Sequence, residues 1–252
     1  MDLGLKGKKA IVTGGTRGIG AAIVDLLLEE GVDVSTCARN AAEVEALNTR
    51  AATSGQSLHA SVCDVSNAAA QSDWITGRVA AMGGLDIFIP NVSGGAQPGE
   101  DGWKSAFEID MMATVRGSEQ ALPIIAQAGG GAIVIIASIS GLEGFSGPSG
   151  YGAIKTGLIS YSSQLAEVAA AHNVRVNAVS PGPIHVDDGF WGKVKQEQPE
   201  MYDAVCARHP SGRMGTTKEV ANAAVFLASP AASWVAGTNL VVDGSVTRRV
   251  QF

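Results

Sequence analysis

The sequence predicts an α/β fold built on an open, doubly wound parallel β-sheet of about seven strands, with helices on both faces. Short segments rich in β-branched residues alternate with longer, Ala-rich helical segments along most of the 252 residues. The strand candidates are apolar throughout, which is typical of parallel strands covered by helices on both sides. This alternation is the pattern of a Rossmann-type sheet. Because no linker, charge run or repeat divides the chain, residues 1–252 are predicted to form a single domain.

The predicted strands are short, and the predicted helices fill the intervals between them. The strands occupy residues 10–12, 32–37, 58–63, 87–89, 132–136, 175–179 and 240–242. The helices occupy residues 18–30, 41–53, 68–82, 103–126, 151–171 and 218–227. Ser66 or Asn67 before the third helix and Thr217 before the last are candidate N-caps, because short polar side chains accept hydrogen bonds from free helix N–H groups.

Two stretches interrupt this alternation. Residues 93–101 contain three Gly and one Pro, whereas residues 180–213 contain four Pro and a helix-like piece at 191–197. Both follow strands, so they should flank the crevice at the carboxyl ends of the strands, where open α/β sheets bind ligands. Long loops in compact domains are usually functional, which predicts a substrate lid at about 183–213. The alternative is an ordered surface excursion.

The composition excludes several classes of protein. Apolar residues make up 46% and charged residues 17%, so the chain can bury a large core and is not disordered. The net charge is −6 and no Lys/Arg cluster exceeds a pair, which argues against a nucleic-acid partner. The apolar runs are too short to span a membrane, and the N-terminus has no secretory signal. With three cysteines and no C-x-x-C motif, the sequence predicts a cytoplasmic protein.

A glycine-rich turn at 13–20 lies between the first strand and the first helix. In this position, backbone N–H groups and the helix dipole attract a pyrophosphate, and small residues allow its close approach. No Lys-Ser/Thr pair follows, so the turn is not a Walker A loop. A purely structural corner of an α/β fold is the alternative. The candidate phosphate-binding residues are Gly14, Thr16, Arg17, Gly18, Ile19 and Gly20.

The end of the second strand indicates which nicotinamide cofactor binds. A carboxylate there would bind the ribose 2′-hydroxyl of NAD(H), whereas an Arg accommodates a 2′-phosphate. The strand ends in Arg39 without a carboxylate, and Arg17 lies in the phosphate turn, so we expect NADP(H) rather than NAD(H). The alternative is that Arg39 is a solvated loop residue. After the third strand, Asp64 and then Val65 follow; the Asp64 carboxylate could accept from an adenine amino group or cap the next helix.

Tyr151 and Lys155 open the predicted helix at 151–171, and their i,i+4 spacing places both side chains on one face. A free phenol, with a pKa of about 10, is a poor acid-base catalyst near neutrality, but a neighbouring cation favours the phenolate. Ser138 lies thirteen residues upstream of Tyr151, at the end of the fifth strand, where its hydroxyl could bind a substrate oxygen. A surface pair is the alternative for the Tyr-x-x-x-Lys spacing on its own.

In this combination the chain resembles the short-chain dehydrogenase/reductase family, including its 3-oxoacyl-[acyl-carrier-protein] reductase-like members, over essentially its whole length. The order and spacing of the matching motifs make the resemblance specific. They are the turn at 13–20, Asp64-Val65, Ser138, Tyr151, Lys155, Pro181-Gly182 after the sixth strand and the C-terminal Gly237 and Asp243-Gly244.

The resemblance implies hydride transfer at a carbonyl and assigns a role to each motif. Tyr151 would be the general acid/base, Ser138 would polarise the carbonyl, and Lys155 would bind the nicotinamide ribose and tune Tyr151. A homotetramer is implied as well. Three residues would line the nicotinamide pocket: Pro181, Gly182 and Ile184.

The sequence departs from the family pattern at three positions. Only Asn91 aligns well with the family's Asn-Asn-Ala-Gly motif after the fourth strand. Asp110 stands where the family usually has an Asn that holds a water in the proton path to the Lys. Since an ionised Asp accepts hydrogen bonds but cannot donate them, we expect a modified proton relay. Val186 replaces, or displaces, a Thr that contacts the nicotinamide amide in the family.

We therefore expect an NADP(H)-dependent oxidoreductase that interconverts a ketone and a secondary alcohol on a small-molecule substrate. Two alternatives stay open: a 3-oxoacyl-thioester reductase of the fatty-acid synthesis type, and a non-catalytic NADPH-binding regulator, which Asp110 and Val186 would favour. No metal is expected, because the four His form no spaced ligand set. Phe190, Trp191 and Met214 are candidate pocket residues and suggest an apolar or aromatic substrate.

Overall fold

The computed structural model describes residues 2–145 and 147–250, and it confirms the predicted α/β class. Within these residues, seven strands form one parallel sheet in the order β3-β2-β1-β4-β5-β6-β7. All seven strand predictions are confirmed to within a few residues. The strands are Lys9–Thr13 (β1), Asp33–Ala38 (β2), Leu58–Val62 (β3), Ile87–Ile89 (β4), Gly131–Ile136 (β5), Val174–Pro181 (β6) and Asn239–Val242 (β7).

Helices connect successive strands, as parallel pairing requires. Because β1 neighbours both β2 and β4, the strand order reverses between β1 and β4, and a ligand crevice is expected at their carboxyl ends. In the described part of the chain the α-helices are Gly18–Glu29 (α1), Ala41–Ser54 (α2), Ala68–Met82 (α3), Gly99–Ser105 (α4), Ala113–Gln127 (α5), Gly150–Ala170 (α6), Phe190–Glu197 (α7), Pro199–Arg208 (α8) and Thr217–Ala228 (α9).

Successive residues of each central strand pack into different core layers, which explains why the strands are apolar throughout. Ala10 and Val12 of β1 pack in the layer that contains α1 and α9. Ile11, between them, packs with Phe88 in the opposite layer, against α3, α5 and α6. All four side chains are fully buried. Burial of this kind contributes about 25 cal/mol per Å² of apolar surface, so the helices on both faces stabilise the central strands of the sheet.

The helix predicted over residues 103–126 differs from the structure in two respects. Helical structure begins earlier, at Gly99, and a π-helix spans Ala106–Met112 between α4 and α5. The predicted irregular stretch at 93–101 therefore ends in a helix. A π-helix is rare and occurs frequently at functional sites. Here it contains the buried Asp110.

The excursion predicted as a lid contains two helices rather than one. The predicted piece at 191–197 is confirmed as α7, whereas α8 was not predicted. Pro199 opens α8 at a position where its missing N–H costs nothing. An isolated bridge joins Ile184 to Gly215 and ties the two ends of the excursion together. A lid role for 183–213 stays a prediction.

The last helix begins one residue earlier than its predicted cap implies. Thr216, not Thr217, is the N-cap, and it forms a capping box in which Glu219 accepts from the Thr216 backbone N–H. Of the two candidates for α3, Asn67 is the cap. The Arg213 guanidinium beside Glu219 holds the pKa of Glu219 down to about 2. The stabilisation from this carboxylate is therefore fully present above the ordinary glutamate pKa of 4.5 and is lost progressively as the pH falls from there through about 2.

The capping box predicts different effects for two adjacent threonines. Thr216→Ala removes the side-chain cap and should lower the free energy of unfolding by about 1 kcal/mol, or the melting temperature by about 2–4 °C. Thr217→Ala is the matched control and should change the stability far less. Urea denaturation of both variants measures the difference, and equal losses would contradict the assignment of the cap.

Candidate active site

A cavity of about 490 Å³ lies at the carboxyl ends of the central strands, where the strand order predicts a ligand. Its walls come from the glycine-rich turn, the ends of β2 and β3, and the segments after β4 and β6. The structure brings eleven of the residues predicted to bind cofactor into this wall: Gly14, Thr16, Arg17, Gly18, Ile19, Gly20, Arg39, Asp64, Val65, Asn91 and Ile184.

The glycine-rich turn has the backbone geometry that a phosphate requires. Gly14 has a φ of +72°, a conformation that favours glycine, and a Cβ at Gly20 would collide with the Gly14 carbonyl oxygen. Arg17 is the N-cap of α1, and within the described part of the chain its side chain makes no capping hydrogen bond. The N–H groups at the start of α1 therefore remain available to an anion, so the residues present fit a pyrophosphate.

Asn91 holds this turn in position. Its Nδ2 donates to the carbonyl oxygens of Thr13 and Gly14, both at 3.1 Å. Its backbone N–H donates to the Thr13 hydroxyl at 3.0 Å. The single residue that aligns with the family's Asn-rich motif therefore links the end of β4 to the glycine turn after β1.

Charged side chains cluster at the end of the cavity formed by β2 and β3. Arg17 and Arg39 both line it, as does Asp64. Asp64 Oδ1 accepts from the Ser66 backbone N–H at 3.0 Å and from the Ser66 hydroxyl at 2.7 Å. These bonds lower the pKa of the Asp64 carboxyl, and the nearby Arg39 adds to the effect. Asp64 therefore stabilises the turn before α3, whereas the cap of that helix is Asn67.

Sequence reasoning missed Glu43 at this end of the cavity. Its carboxylate accepts from the Thr16 hydroxyl at 2.6 Å and from Asn40 Nδ2 at 3.1 Å. Asn40 in turn caps α2. The spacing of Asn40 and Glu43 at the start of a predicted helix is the signal that could have identified this link to the phosphate turn.

Lys155, which shares α6 with Tyr151, is almost completely buried. Its Nζ donates to the Ile136 carbonyl oxygen at 3.0 Å and lies 3.0 Å from Asp110 Oδ1. The same Nζ is 5.5 Å from the centroid of the Tyr151 ring, as the i,i+4 spacing on α6 predicts. The contact with Asp110 is a close ion pair that lacks hydrogen-bond geometry within the described residues. Tyr151 therefore sits beside a cation whose position is fixed by two other elements.

Asp110 joins this lysine to the segment after β4. Its side chain is fully buried, and Oδ2 accepts from the Gly94 backbone N–H at 2.8 Å. Asp110 lies on the π-helix directly after Ile109, and the Ile109 side chain lines the cavity. The residue that departs from the family pattern is thus connected both to the lysine and to the cavity wall.

Ser138 lies two residues after β5 and opens a short 3₁₀ turn, Ile139–Gly141, in which its Oγ accepts from the Ser140 N–H at 3.1 Å. The turn packs closely on α6, because a Cβ at Gly141 would come within 2.6 Å of the Lys155 carbonyl carbon. This close packing holds Ser138 beside the first turns of α6. The Ser138 hydroxyl keeps its own proton to donate.

Six of the predicted site residues lie outside the cavity wall: Asp110, Ser138, Tyr151, Lys155, Pro181 and Gly182. Asp110 pairs with Lys155, Tyr151 lies beside Lys155 on α6, and Ser138 opens the short turn that packs on the same helix. Pro181 ends β6 opposite Val242, and a Cβ at Gly182 would come within 2.9 Å of the Asp243 Cα. Pro181 and Gly182 therefore belong to the same sheet edge, but the described wall does not include them. Val186, at the departure from the family Thr, does line the cavity.

No three His, Cys, Asp or Glu side chains converge on a candidate metal position within residues 2–145 and 147–250. His185 lies 3.0 Å from Asp187 Oδ1, and its other ring nitrogen lies 3.2 Å from the Tyr202 hydroxyl. In the described part of the chain, no helix has the length and hydrophobicity needed to cross a membrane.

Comparison with known proteins places this site in a family. The short-chain dehydrogenase model described as enoyl-(acyl carrier protein) reductase matches residues 14–247. The chain belongs to the short-chain dehydrogenase/reductase family. It is 35% identical to isoepoxydon dehydrogenase patN of Penicillium expansum, over 100% of this chain and 99% of that protein. It is 33% identical to the 3-oxoacyl-[acyl-carrier-protein] reductase FabG of Chlamydia pneumoniae, over 98% of this chain and 100% of that protein.

The structural comparison agrees with the sequence comparison. The crystal structure of L-sorbose reductase from Gluconobacter frateurii, complexed with NADPH and L-sorbose, superposes with a TM-score of 0.91. It is 28% identical and is matched over 99% of this chain and 100% of that one. This short-chain dehydrogenase/reductase is therefore an oxidoreductase that acts on CH–OH or ketone substrates.

Proposed function

We propose that the protein is an NADP(H)-dependent oxidoreductase that interconverts a ketone and a secondary alcohol, with Tyr151 as the general acid/base. One observation carries the proposal: the buried ammonium of Lys155 lies beside the Tyr151 ring and is fixed by Asp110 and the Ile136 carbonyl. A fixed cation stabilises the phenolate more than the neutral phenol, which is what proton transfer at Tyr151 requires.

The preference for NADP(H) over NAD(H) rests on Arg17 and Arg39. Both line the adenosine end of the proposed cofactor cavity, where a 2′-phosphate would form charge-assisted hydrogen bonds with them. The related L-sorbose reductase structure contains NADPH, which supports the same choice. The N–H groups at the start of α1 would hold the pyrophosphate, whereas Pro181, Gly182 and Ile184 would border the nicotinamide end.

When bound, the nicotinamide supplies or accepts the hydride. In the reductive direction, the Tyr151 hydroxyl gives its proton to the carbonyl oxygen while the Ser138 hydroxyl donates a hydrogen bond to that oxygen. Both groups stabilise the charge that develops on the oxygen, so catalysis is positioning plus electrostatic stabilisation. Lys155 stabilises the resulting phenolate and would also hold the nicotinamide ribose. Asp110 positions Lys155 and gives the proton relay a carboxylate in place of the family's amide.

The substrate is a small molecule held under the segment 183–213, which we propose acts as a lid. Phe190 and Trp191 of α7 stack edge to face, with Phe190 exposed, which suits an apolar or aromatic partner. The similarity to FabG proteins favours a 3-oxoacyl thioester as the second candidate substrate. A non-catalytic NADPH-binding protein is the third candidate, and turnover distinguishes it from the other two.

We also propose a homotetramer located in the cytoplasm. Large exposed apolar side chains support further assembly, because single chains rarely leave several of them on neighbouring helices. Trp103 lies on α4, Phe107 on the π-helix and Val168 on α6. Trp234, just before β7, is fully exposed.

The proposed activity predicts NADPH oxidation, followed at 340 nm, with members of a panel of ketones, diketones and 3-oxoacyl thioesters. Tyr151→Phe should lower kcat by at least about 100-fold, because general acid catalysis typically contributes that much or more, and should leave NADPH binding nearly unchanged. Tyr161→Phe, ten residues further along α6, is the control and should retain activity. Substantial turnover by the Tyr151 variant would overturn the acid/base assignment, and NADPH binding without any turnover would favour the regulator.

The two arginines predict the cofactor preference. Changing both Arg17 and Arg39 to Gln should reduce kcat/KM for NADPH by about 10-fold or more per charge and leave kcat/KM for NADH nearly unchanged, because hydrogen bonds between charged groups contribute about 1.5–3 kcal/mol each. Arg50→Gln, on the exposed side of α2, is the control. If the ratio of the two kcat/KM values stays the same, the arginines do not select the cofactor.

A further inference from the structure

Two cysteines, which the proposed mechanism does not use, face the cavity together. Cys37 lies near the end of β2 and Cys63 directly follows β3, and both line the cavity at its adenosine end. In the parallel register Cys37 pairs with Ser61, so Cys63 is two positions further along and faces the same side of the sheet. The two side chains pack in one small cluster with Val65.

The local bonds connect this thiol pair to the phosphate turn. The carbonyl oxygen of Cys37 accepts from the Gly14 backbone N–H at 2.9 Å. The backbone N–H of Cys63 donates to the Ala38 carbonyl at 3.0 Å, which keeps the ends of the two strands together. Any covalent change that pulls the two sulfurs together therefore moves the groups that hold the glycine turn.

The two thiols also differ in reactivity. The side-chain hydrogen bond between them lowers the pKa of Cys63 and raises the pKa of Cys37. Because the thiolate is the nucleophile, Cys63 should react first with an oxidant that enters the cavity. Cys37 is fully buried, whereas Cys63 retains a small exposed fraction, which also favours Cys63 as the first site of oxidation.

We propose that Cys37 and Cys63 form an oxidation-sensitive thiol pair whose disulfide blocks the dinucleotide cavity. A peroxide is the oxidant. The Cys63 sulfur attacks one peroxide oxygen, a S–O bond forms as the O–O bond breaks, and water is released with formation of a sulfenic acid. The Cys37 sulfur then attacks the Cys63 sulfur, a S–S bond forms as the S–O bond breaks, and a second water leaves. The two thiols lose two electrons and two protons in total, and hydrogen peroxide is reduced to two waters.

The disulfide and the bound dinucleotide should exclude each other, and this part of the proposal rests on the proposed cofactor site. A bound dinucleotide covers the cavity wall and should shield Cys63 from peroxide. The disulfide, conversely, should displace the Gly14 turn and weaken dinucleotide binding. Redox state and cofactor occupancy would then control each other.

The test treats the folded protein with hydrogen peroxide and maps its peptides by mass spectrometry without reduction. We expect a linked peptide pair that contains Cys37 and Cys63, loss of NADP⁺ binding measured by calorimetry, and recovery of both the thiols and the binding with dithiothreitol. Cys206→Ala is the control, since this more exposed thiol lies outside the pair and its loss should change none of these results. Absence of the linked peptide in oxidised protein would overturn the proposal.

Two variants and one ligand separate the steps. Cys63→Ala should bind NADP⁺ with the same affinity before and after peroxide treatment, whatever that affinity is. Cys37→Ala should accumulate a Cys63 sulfenic acid that dimedone traps. Equal peroxide sensitivity of Cys63→Ala and the unchanged protein would also overturn the proposal. NADP⁺ at about 100 times its Kd should slow disulfide formation about 100-fold, because only the unliganded fraction reacts. If the disulfide forms equally fast with and without saturating NADP⁺, the oxidation-sensitive pair stands, and the result contradicts the proposed position of the dinucleotide instead.

Discussion

The buried ion pair between Lys155 and Asp110 is the interaction on which the site depends. Through it, α6, the π-helix, the end of β5 and the segment after β4 meet at one ammonium group. Two charges without access to water are costly to bury, and removal of one partner from such a pair typically costs about 3–5 kcal/mol. The pair therefore constrains the surrounding backbone, and Tyr151 acquires a defined position beside the Lys155 ammonium group.

The parallel sheet makes this arrangement possible because it brings the carboxyl ends of its strands to one edge. Asn91 after β4 holds the glycine turn after β1, and Ser138 after β5 packs on the helix that carries Tyr151. The proposed cofactor cavity and the proton-transfer group are thus linked through short, buried contacts. The thiol pair at the ends of β2 and β3 lies on the same edge, which is why its chemistry would reach the dinucleotide.

Much of this could be predicted from the sequence, because the strands are short, β-branched and buried on both faces, and because the phosphate turn has a local sequence pattern. What could not be predicted depends on contacts that local patterns do not contain. The π-helix at 106–112 has no propensity signature, and α8 has no buried residue in the structure, so it gives no apolar periodicity. The contact of Asp110 with Lys155 joins residues 45 positions apart. Their pairing follows from the folded sheet, not from spacing.

The central claim is that Asp110 holds and partly neutralises the charge that Lys155 presents to Tyr151. The pH–rate profile of kcat for Asp110→Asn tests it most directly, with the exposed Glu108→Gln as the control. The variant should fold and turn over, and its profile should shift to lower pH by about 0.5–1 unit, because an uncompensated Lys155 favours the phenolate. A profile that coincides with that of the unchanged protein would contradict the account and place Asp110 outside the proton relay.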